Sequence, residues 1–116
     1  MLQLVDNHLT PDICLIGFSG KLMMGKESRQ VESRVNALLS AGMKKIIFDL
    51  SGLDSIDSTG VGIIVVCCGK AKKAGGELRI AGPAGVVKEA LIMTRVDRLV
   101  RIFATVDDAR RNFGEA

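Results

Sequence analysis

The run Ile46-Ile47-Phe48, at the centre of the stretch Lys44 to Leu50, constrains the fold more than any other part of the chain. A strand with one wet face alternates apolar and polar residues. A strand that is apolar at consecutive positions is covered on both faces, as in a parallel sheet with other elements packed above and below it. The flanking segments fit that arrangement. From Glu27 to Ser40 the apolar residues Val31, Val35, Leu38 and Leu39 recur with the 3.6-residue period of a helix, and Gly42 stands where a C-terminal cap is expected. Ser58 to Ala74 reads as a second helix, apolar over most of its circumference in its first half and closed by Gly75-Gly76. Those N-terminal turns should therefore be largely buried.

The other elements follow from the same periodicities. Leu2 to Asp6 and Asp12 to Ser19 read as an antiparallel hairpin joined through Asn7 to Pro11, with a loop at Lys21 to Met24 between Gly20 and Gly25. Glu77 to Ala81 is a strand in which Leu78 and Ile80 alternate with Glu77 and Arg79. Gly82-Pro83 leads into a third helix bearing Val86, Val87, Ala90 and Leu91, and Leu99 to Phe103 is a short strand. Thr105 and Asp108 have the spacing of a capping box that opens a last helix, with Val106, Ala109 and Phe113 inward. The order β-β-α-β-α-β-α-β-α with short connections predicts one α/β domain over residues 1–116. Its sheet should be mainly parallel, four- to five-stranded, with an antiparallel N-terminal strand and about four helices.

Composition removes several function classes. A net charge of +3, spread along a chain without Trp or Tyr and with four Phe, offers neither a basic patch nor stacking platforms for nucleic acid. Three cysteines, Cys14, Cys67 and Cys68, lie in apolar surroundings and read as core thiols of a cytoplasmic protein, not as a disulfide framework. The start of the chain lacks the pattern of a signal peptide. The longest apolar run, Val61 to Cys68, is far shorter than the roughly 20 residues that cross a bilayer. His8 is the only histidine and would have to reach Ser58 across the domain to make a hydrolase triad. The segment from Gly52 to Gly62 lacks the Gly-Lys-Ser/Thr ending of a P-loop, and its aspartates lack the alternation of a calcium loop. No cofactor or metal is expected. Lys70, Lys72 and Lys73 complement the negative end of the second helix.

Chemistry concentrates between Asp49 and Gly62, where a buried strand hands over to a buried helix at the carboxyl end of the sheet. Asp57, Ser58 and Thr59 are good N-cap residues, so one reading is a loop and a cap and nothing more. The other reading starts from the crowd of carboxylates and hydroxyls followed by Gly60 and Gly62, which would let a second backbone approach. A hydroxyl in the first turn is exposed and lies beside the positive helix end. A phosphate there would add about −2 with little change of shape.

The run Ile46-Ile47-Phe48-Asp49-Leu50, a short polar loop and then Asp57-Ser58-Thr59-Gly60-Val61-Gly62 resembles the signature of STAS domains, in particular bacterial anti-sigma-factor antagonists. Gly20-Lys21-Leu22, Ala74 to Ile80 and Val87 to Val100 resemble the same family, so the likeness covers nearly the whole chain. The resemblance implies a non-enzymatic, phospho-switched binding module with Ser58 as phosphoacceptor. It implies a serine-kinase-type anti-sigma factor as partner, bound while Ser58 is unmodified so that the sigma factor is released, and a PP2C-type phosphatase that resets the switch. Asp57 would flank the acceptor, Thr59 and Gly60 would shape the turn, and Ile56, Met23 and Met24 would complete the binding face of a monomer or weak dimer. Many antagonists carry an aspartate where this chain has Met23. The competing expectation is a STAS subunit that never switches, in a stress-signalling or lipid-transport complex, with Ser58 serving only as part of the cap.

Overall fold

The computed structural model describes residues 1–113. Strands β1 (Leu2–Thr10) and β2 (Ile13–Leu22) pair antiparallel across a turn of only two residues, Pro11 and Asp12. Thr10 tightens that turn, because its hydroxyl oxygen accepts from the amides of Asp12 (3.3 Å) and Ile13 (3.1 Å). The turn is thus shorter than the expected Asn7 to Pro11. Asn7 and His8 are exposed residues of an edge strand, and their polarity imitates a loop.

Helix α1 (Lys26–Ser40) leads to β3 (Lys45–Ile56), α2 (Ser58–Lys73), β4 (Glu77–Ala81), α3 (Gly85–Met93), a 3-10 turn (Val96–Arg98), β5 (Ile102–Phe103) and α4 (Val106–Arg110). The strands lie in the order β1-β2-β3-β4-β5, and every pair after the first is parallel. Element order and sheet type match the sequence-based expectation. The last strand is shorter, since the amides of Leu99 and Val100 donate back to the Val96 carbonyl of a 3-10 turn and pairing is confined to Ile102 and Phe103.

Both faces of β3 are covered. Ile46, Phe48 and Leu50 join Val31 and Val35 of α1, Val61, Ile64 and Cys67 of α2, and Val87 and Leu91 of α3 in the larger core. Ile47 points the other way, into a smaller cluster with Ile13, Ala81, Ala109 and Phe113. The rings of Phe18 and Phe48 lie 4.8 Å apart, in an otherwise aliphatic interior. In α2 the burial follows one stripe, Val61, Ile64, Cys67 and Ala71, while Val66 is exposed.

Two departures from the sequence reading matter for the site. Strands β2 and β3 run on to Leu22 and Ile56, through stretches that read as loops. Ser19 pairs with Gly52, Gly20 with Leu53, Lys21 with Ser55 and Leu22 with Ile56, across two register shifts. Ser51, Gly52 and Asp54 are exposed, so this end of the sheet carries polar residues although its backbone runs on as a strand beside β2. Gly52 is required there: a β-carbon would stand 2.7 Å from the carbonyl oxygen of Phe18.

The second departure is Arg79, which the alternation of β4 placed on a wet face. It is 1% exposed. Its guanidinium donates to the carbonyls of Ala109 (2.9 Å), Arg111 (2.9 Å) and Asn112 (3.4 Å), and its Nε lies 3.1 Å from Glu77 Oε2. It also lies 4.4 Å from the ring centre of Phe113 and 5.3 Å from that of Phe103. A period of two separates the faces of a strand but does not say whether the polar face stays open. Here α4, opened by the Thr105 hydroxyl accepting from the Asp108 amide (3.1 Å), closes over it.

Candidate functional site

Ile56 ends β3, and Asp57 turns the chain into α2 with extended backbone angles, φ −101° and ψ −180°. One carboxylate oxygen of Asp57 accepts from the amide of Gly60 at 2.7 Å, which makes Asp57 the N-cap. The other accepts from the amide of Met24 at 2.9 Å. The Asp57 amide donates in turn to the Leu22 carbonyl at 3.3 Å. One side chain therefore caps α2 and fastens the β2–α1 loop to it. The loop is held a third time by Ser28, whose hydroxyl donates to the Met23 carbonyl at 2.9 Å.

Ser58 and Thr59 occupy the first two positions of α2 and are both exposed. Ser55 is different: its hydroxyl oxygen is buried and makes no hydrogen bond among the described residues. Met24 is 67% exposed, Met23 is half-buried, and Ile56 is half-buried against the larger core. Asp57, Ser58, Thr59, Met23, Met24 and Ile56 thus come together at the carboxyl end of β2 and β3. Asp54 is exposed one strand position beyond Leu53.

The two glycines of the motif have different roles. At Gly60, where the sequence reading expected a second backbone, the space is filled by this chain itself: the residue is buried, and a β-carbon there would lie 2.5 Å from the Leu22 carbonyl oxygen and 2.8 Å from Ile56 Cγ1. The close approach is made by the end of the chain's own β2, and nothing in the local sequence announces that a strand end 38 residues upstream fills the space. Gly62 is exposed, with nothing within 4 Å of its β position, so α2 offers bare backbone to solvent there.

The ties from Asp57 to Met24 and from Ser28 to Met23 are the parts of the site that sequence reasoning missed. Asp57 is recognisable as a cap from spacing, but its second bond spans 33 residues and leaves no local trace. His8 pairs with Cys14, which pairs with Ile46, ten strand positions from Ile56, or about 30 Å at the usual strand rise. It therefore stands at the opposite end of the sheet from Ser58. Burial pushes the thiols of Cys67 and Cys68 up to about 12 and raises that of Cys14, so all three stay protonated. Among the described residues no group of three or more His, Cys, Asp or Glu side chains could hold a metal ion, and no helix is long and apolar enough to cross a membrane.

The arrangement can do one thing chemically without rearrangement. It presents a primary hydroxyl to solvent on a helix end whose own cap is already made, so that a group transferred to Ser58 would leave every backbone bond in place.

Comparison with known proteins fits this architecture. A candidate anti-sigma factor antagonist of Thermotoga maritima is 35% identical over 71 residues, which make up 61% of this chain and 63% of that protein, less than two thirds of its length. A crystal structure of a candidate anti-sigma factor antagonist from Thermotoga maritima superposes with a TM-score of 0.86 at 25% identity, covering 95% of this chain and 93% of that one. The phosphorylated form of the Bacillus cell-fate determinant SpoIIAA shares the fold, with a TM-score of 0.72 at 18% identity over 92% of this chain and 96% of its own. The sequence profile of the STAS domain matches residues 5–109, and with that span the chain belongs to the STAS domain family.

Proposed function

We propose that this chain is an anti-sigma factor antagonist whose partner is a serine-kinase-type anti-sigma factor, and that Ser58 is the phosphoacceptor. The observation that carries the reading is the exposed hydroxyl of Ser58 at the first position of α2, beside a carboxylate that is already committed to two amides. The names of the Thermotoga relatives support the same role.

In the unmodified state the partner meets a neutral surface built from Ser58, Thr59, bare backbone at Gly62 and the exposed Met24 side chain. An unbranched thioether suits an adaptable apolar contact. Met24 is also pre-ordered, because its amide is held by Asp57 and the preceding carbonyl by Ser28. That ordering lowers the entropy lost on binding.

Phosphorylation follows from the same geometry. Ser58 Oγ attacks the γ-phosphorus of ATP carried by the kinase, an O–P bond forms, the bond to the ADP oxygen breaks, and the hydroxyl proton passes to a base of the partner. The product carries about −2 where the partner had met a hydroxyl. The helix end favours that charge, whereas Asp57 and the nearby Asp54 oppose it, so the net effect on folding is small and the effect on a packed interface is large. A PP2C-type phosphatase returns the serine.

The test is incubation of the protein with kinase-type anti-sigma factors and ATP, read by mass spectrometry. One added phosphate, about 80 Da, located at Ser58 is the expected result. Ser58→Asp should fold normally and bind about a hundredfold more weakly, or about 3 kcal/mol. Stable binding without modification would replace the switch by a fixed scaffold subunit, and equal affinity of wild type and Ser58→Asp would remove the charge-clash mechanism.

A further inference from the structure

At the amino end of β4, far from Ser58, the sheet leaves a cleft of about 330 Å³ that the switch does not use. It exists because β5 pairs only with Ile80 and Ala81, so Glu77 and Leu78 have no strand beside them on that edge. Leu99 and Val100 line that side instead, before the Arg101 carbonyl accepts from the Ile80 amide (3.0 Å), and the C-terminal half of α2 closes the other wall. Cys68 and Lys72 of that wall lie ten and fourteen residues along α2 from Ser58, about 15 to 20 Å away at the helical rise.

The lining is apolar within, and its charged residues are Lys72, Arg101 and Glu77. Leu78 and Val100 are buried and form the floor with the protonated thiol of Cys68. Leu99, also in the lining, is 68% exposed, an apolar side chain left in water at the rim. The charges do not cancel. Glu77 Oε2 lies 3.1 Å from the Nε of the buried Arg79 and 3.6 Å from the Nε of Arg101. Two guanidiniums thus share that one carboxylate. Arg101 is then in excess, and Lys72 makes no ion pair among the described residues. The lining thus sets two cations, Lys72 and Arg101, against one carboxylate, Glu77, around an apolar recess at the lower end of the size range of small-molecule sites.

We propose that this cleft binds a small organic anion, an apolar body of about a dozen heavy atoms with one carboxylate, sulfonate or phosphate group. The body would cover Leu78, Val100 and the rim of Leu99, and the anionic group would lie between Lys72 and Arg101. The site is independent of the role assigned to Ser58. It places a ligand at one end of the helix whose other end presents that serine.

The probe is naphthalene-2-sulfonate, titrated into the full chain and followed by amide NMR, with naphthalene-2-sulfonamide as its neutral counterpart. Saturable shifts centred on Cys68, Leu78 and Val100 are expected, with the neutral compound at least tenfold weaker. Lys72→Glu combined with Arg101→Glu should lose at least tenfold in sulfonate affinity while the amides of α1 and β1 keep their positions. Equal binding of the two compounds to the wild-type protein would overturn the proposal, whatever the double variant does. So would the absence of saturable shifts, or shifts centred on the exposed face of Val86 and Met93.

Discussion

Asp57 holds two amides that belong to different parts of the chain, and a pair of substitutions separates its two jobs. Asp57→Ala removes the cap on Gly60, which costs about 1 kcal/mol, and the tether to Met24. A hydrogen bond to a charged acceptor is worth about 1.5 to 3 kcal/mol, and the exposure of this one brings it to about 1 or 1.5. The total is about 2.5 kcal/mol. With an unfolding entropy of about 2.1 cal/mol/K per residue, a chain of this length should melt about 10 °C lower. Asp57→Asn keeps an oxygen for Gly60 but turns an amide donor toward the Met24 N–H. It should lose about 1 kcal/mol, or about 4 °C. Thermal unfolding gives the stabilities, and hydrogen exchange at the Met24 amide reports the tether directly. Both variants should speed that exchange, and only Asp57→Ala should also loosen Gly60. If Asp57→Asn is as unstable as Asp57→Ala, or if Met24 exchanges at its wild-type rate in either, the carboxylate does not hold the loop.

Gly60→Ala should destabilise by about 1 to 3 kcal/mol, because its β-carbon meets the Leu22 carbonyl, whereas Gly62→Ala, with open space around it, should gain up to about 1 kcal/mol from helix propensity. Urea unfolding of the two variants reads that difference in sign. Arg79→Met should cost about 2 to 4 kcal/mol and release α4, seen as faster exchange from Val106 to Arg110, since carbonyls of Ala109 and Arg111 lose their donor. Arg79→Lys should not rescue it, for an ammonium cannot reproduce the fork. Asp12 is held down to about 2 from its ordinary 3.8, first by its hydrogen bond from Lys45 and then by that from Thr10. A depressed carboxylate stabilises fully above about 4 and loses its contribution as the pH falls through about 2. Asp12→Asn should therefore flatten the acid limb of a stability–pH curve between those values, and added salt should shrink the difference.

What was legible in the sequence follows from the range of each signal. Ile46-Ile47-Phe48 announced a strand buried on both faces because burial acts on the residues themselves. The spacing of Val31, Val35, Leu38 and Leu39 announced α1 for the same reason, and Thr105 with Asp108 announced a cap because both partners lie within one turn. Ser51 to Ile56 was misread because strand pairing satisfies the backbone while leaving the side chains as polar as those of a loop. Arg79 and Gly60 were misread because what covers them, α4 in one case and the Leu22 carbonyl in the other, lies some thirty or more residues away. Ser58 was legible as an exposed hydroxyl, but the pinning of Met24 beside it was not.

Met23 and Met24 bear on how such a surface would choose a partner. An aspartate at position 23, the residue the family resemblance leads one to expect, would bring a charge next to Asp57, and the partner would need a cation to meet it. Here the loop instead turns Met23 partly inward and leaves Met24 in solvent, beside a carboxylate already occupied by two amides. Charge added at Ser58 then falls near the carboxylates of Asp57 and Asp54, and its cost falls on the interface. A partner fitted to this chain should therefore offer an apolar recess to Met24, and a partner fitted to an aspartate-bearing relative should bind poorly. Met24→Ala, which removes the anchor and keeps the backbone tether to Asp57, should weaken the cognate complex by about tenfold or more, as truncation of a central apolar anchor does, while leaving thermal stability unchanged. Undiminished affinity in that variant would show that the loop only borders the interface.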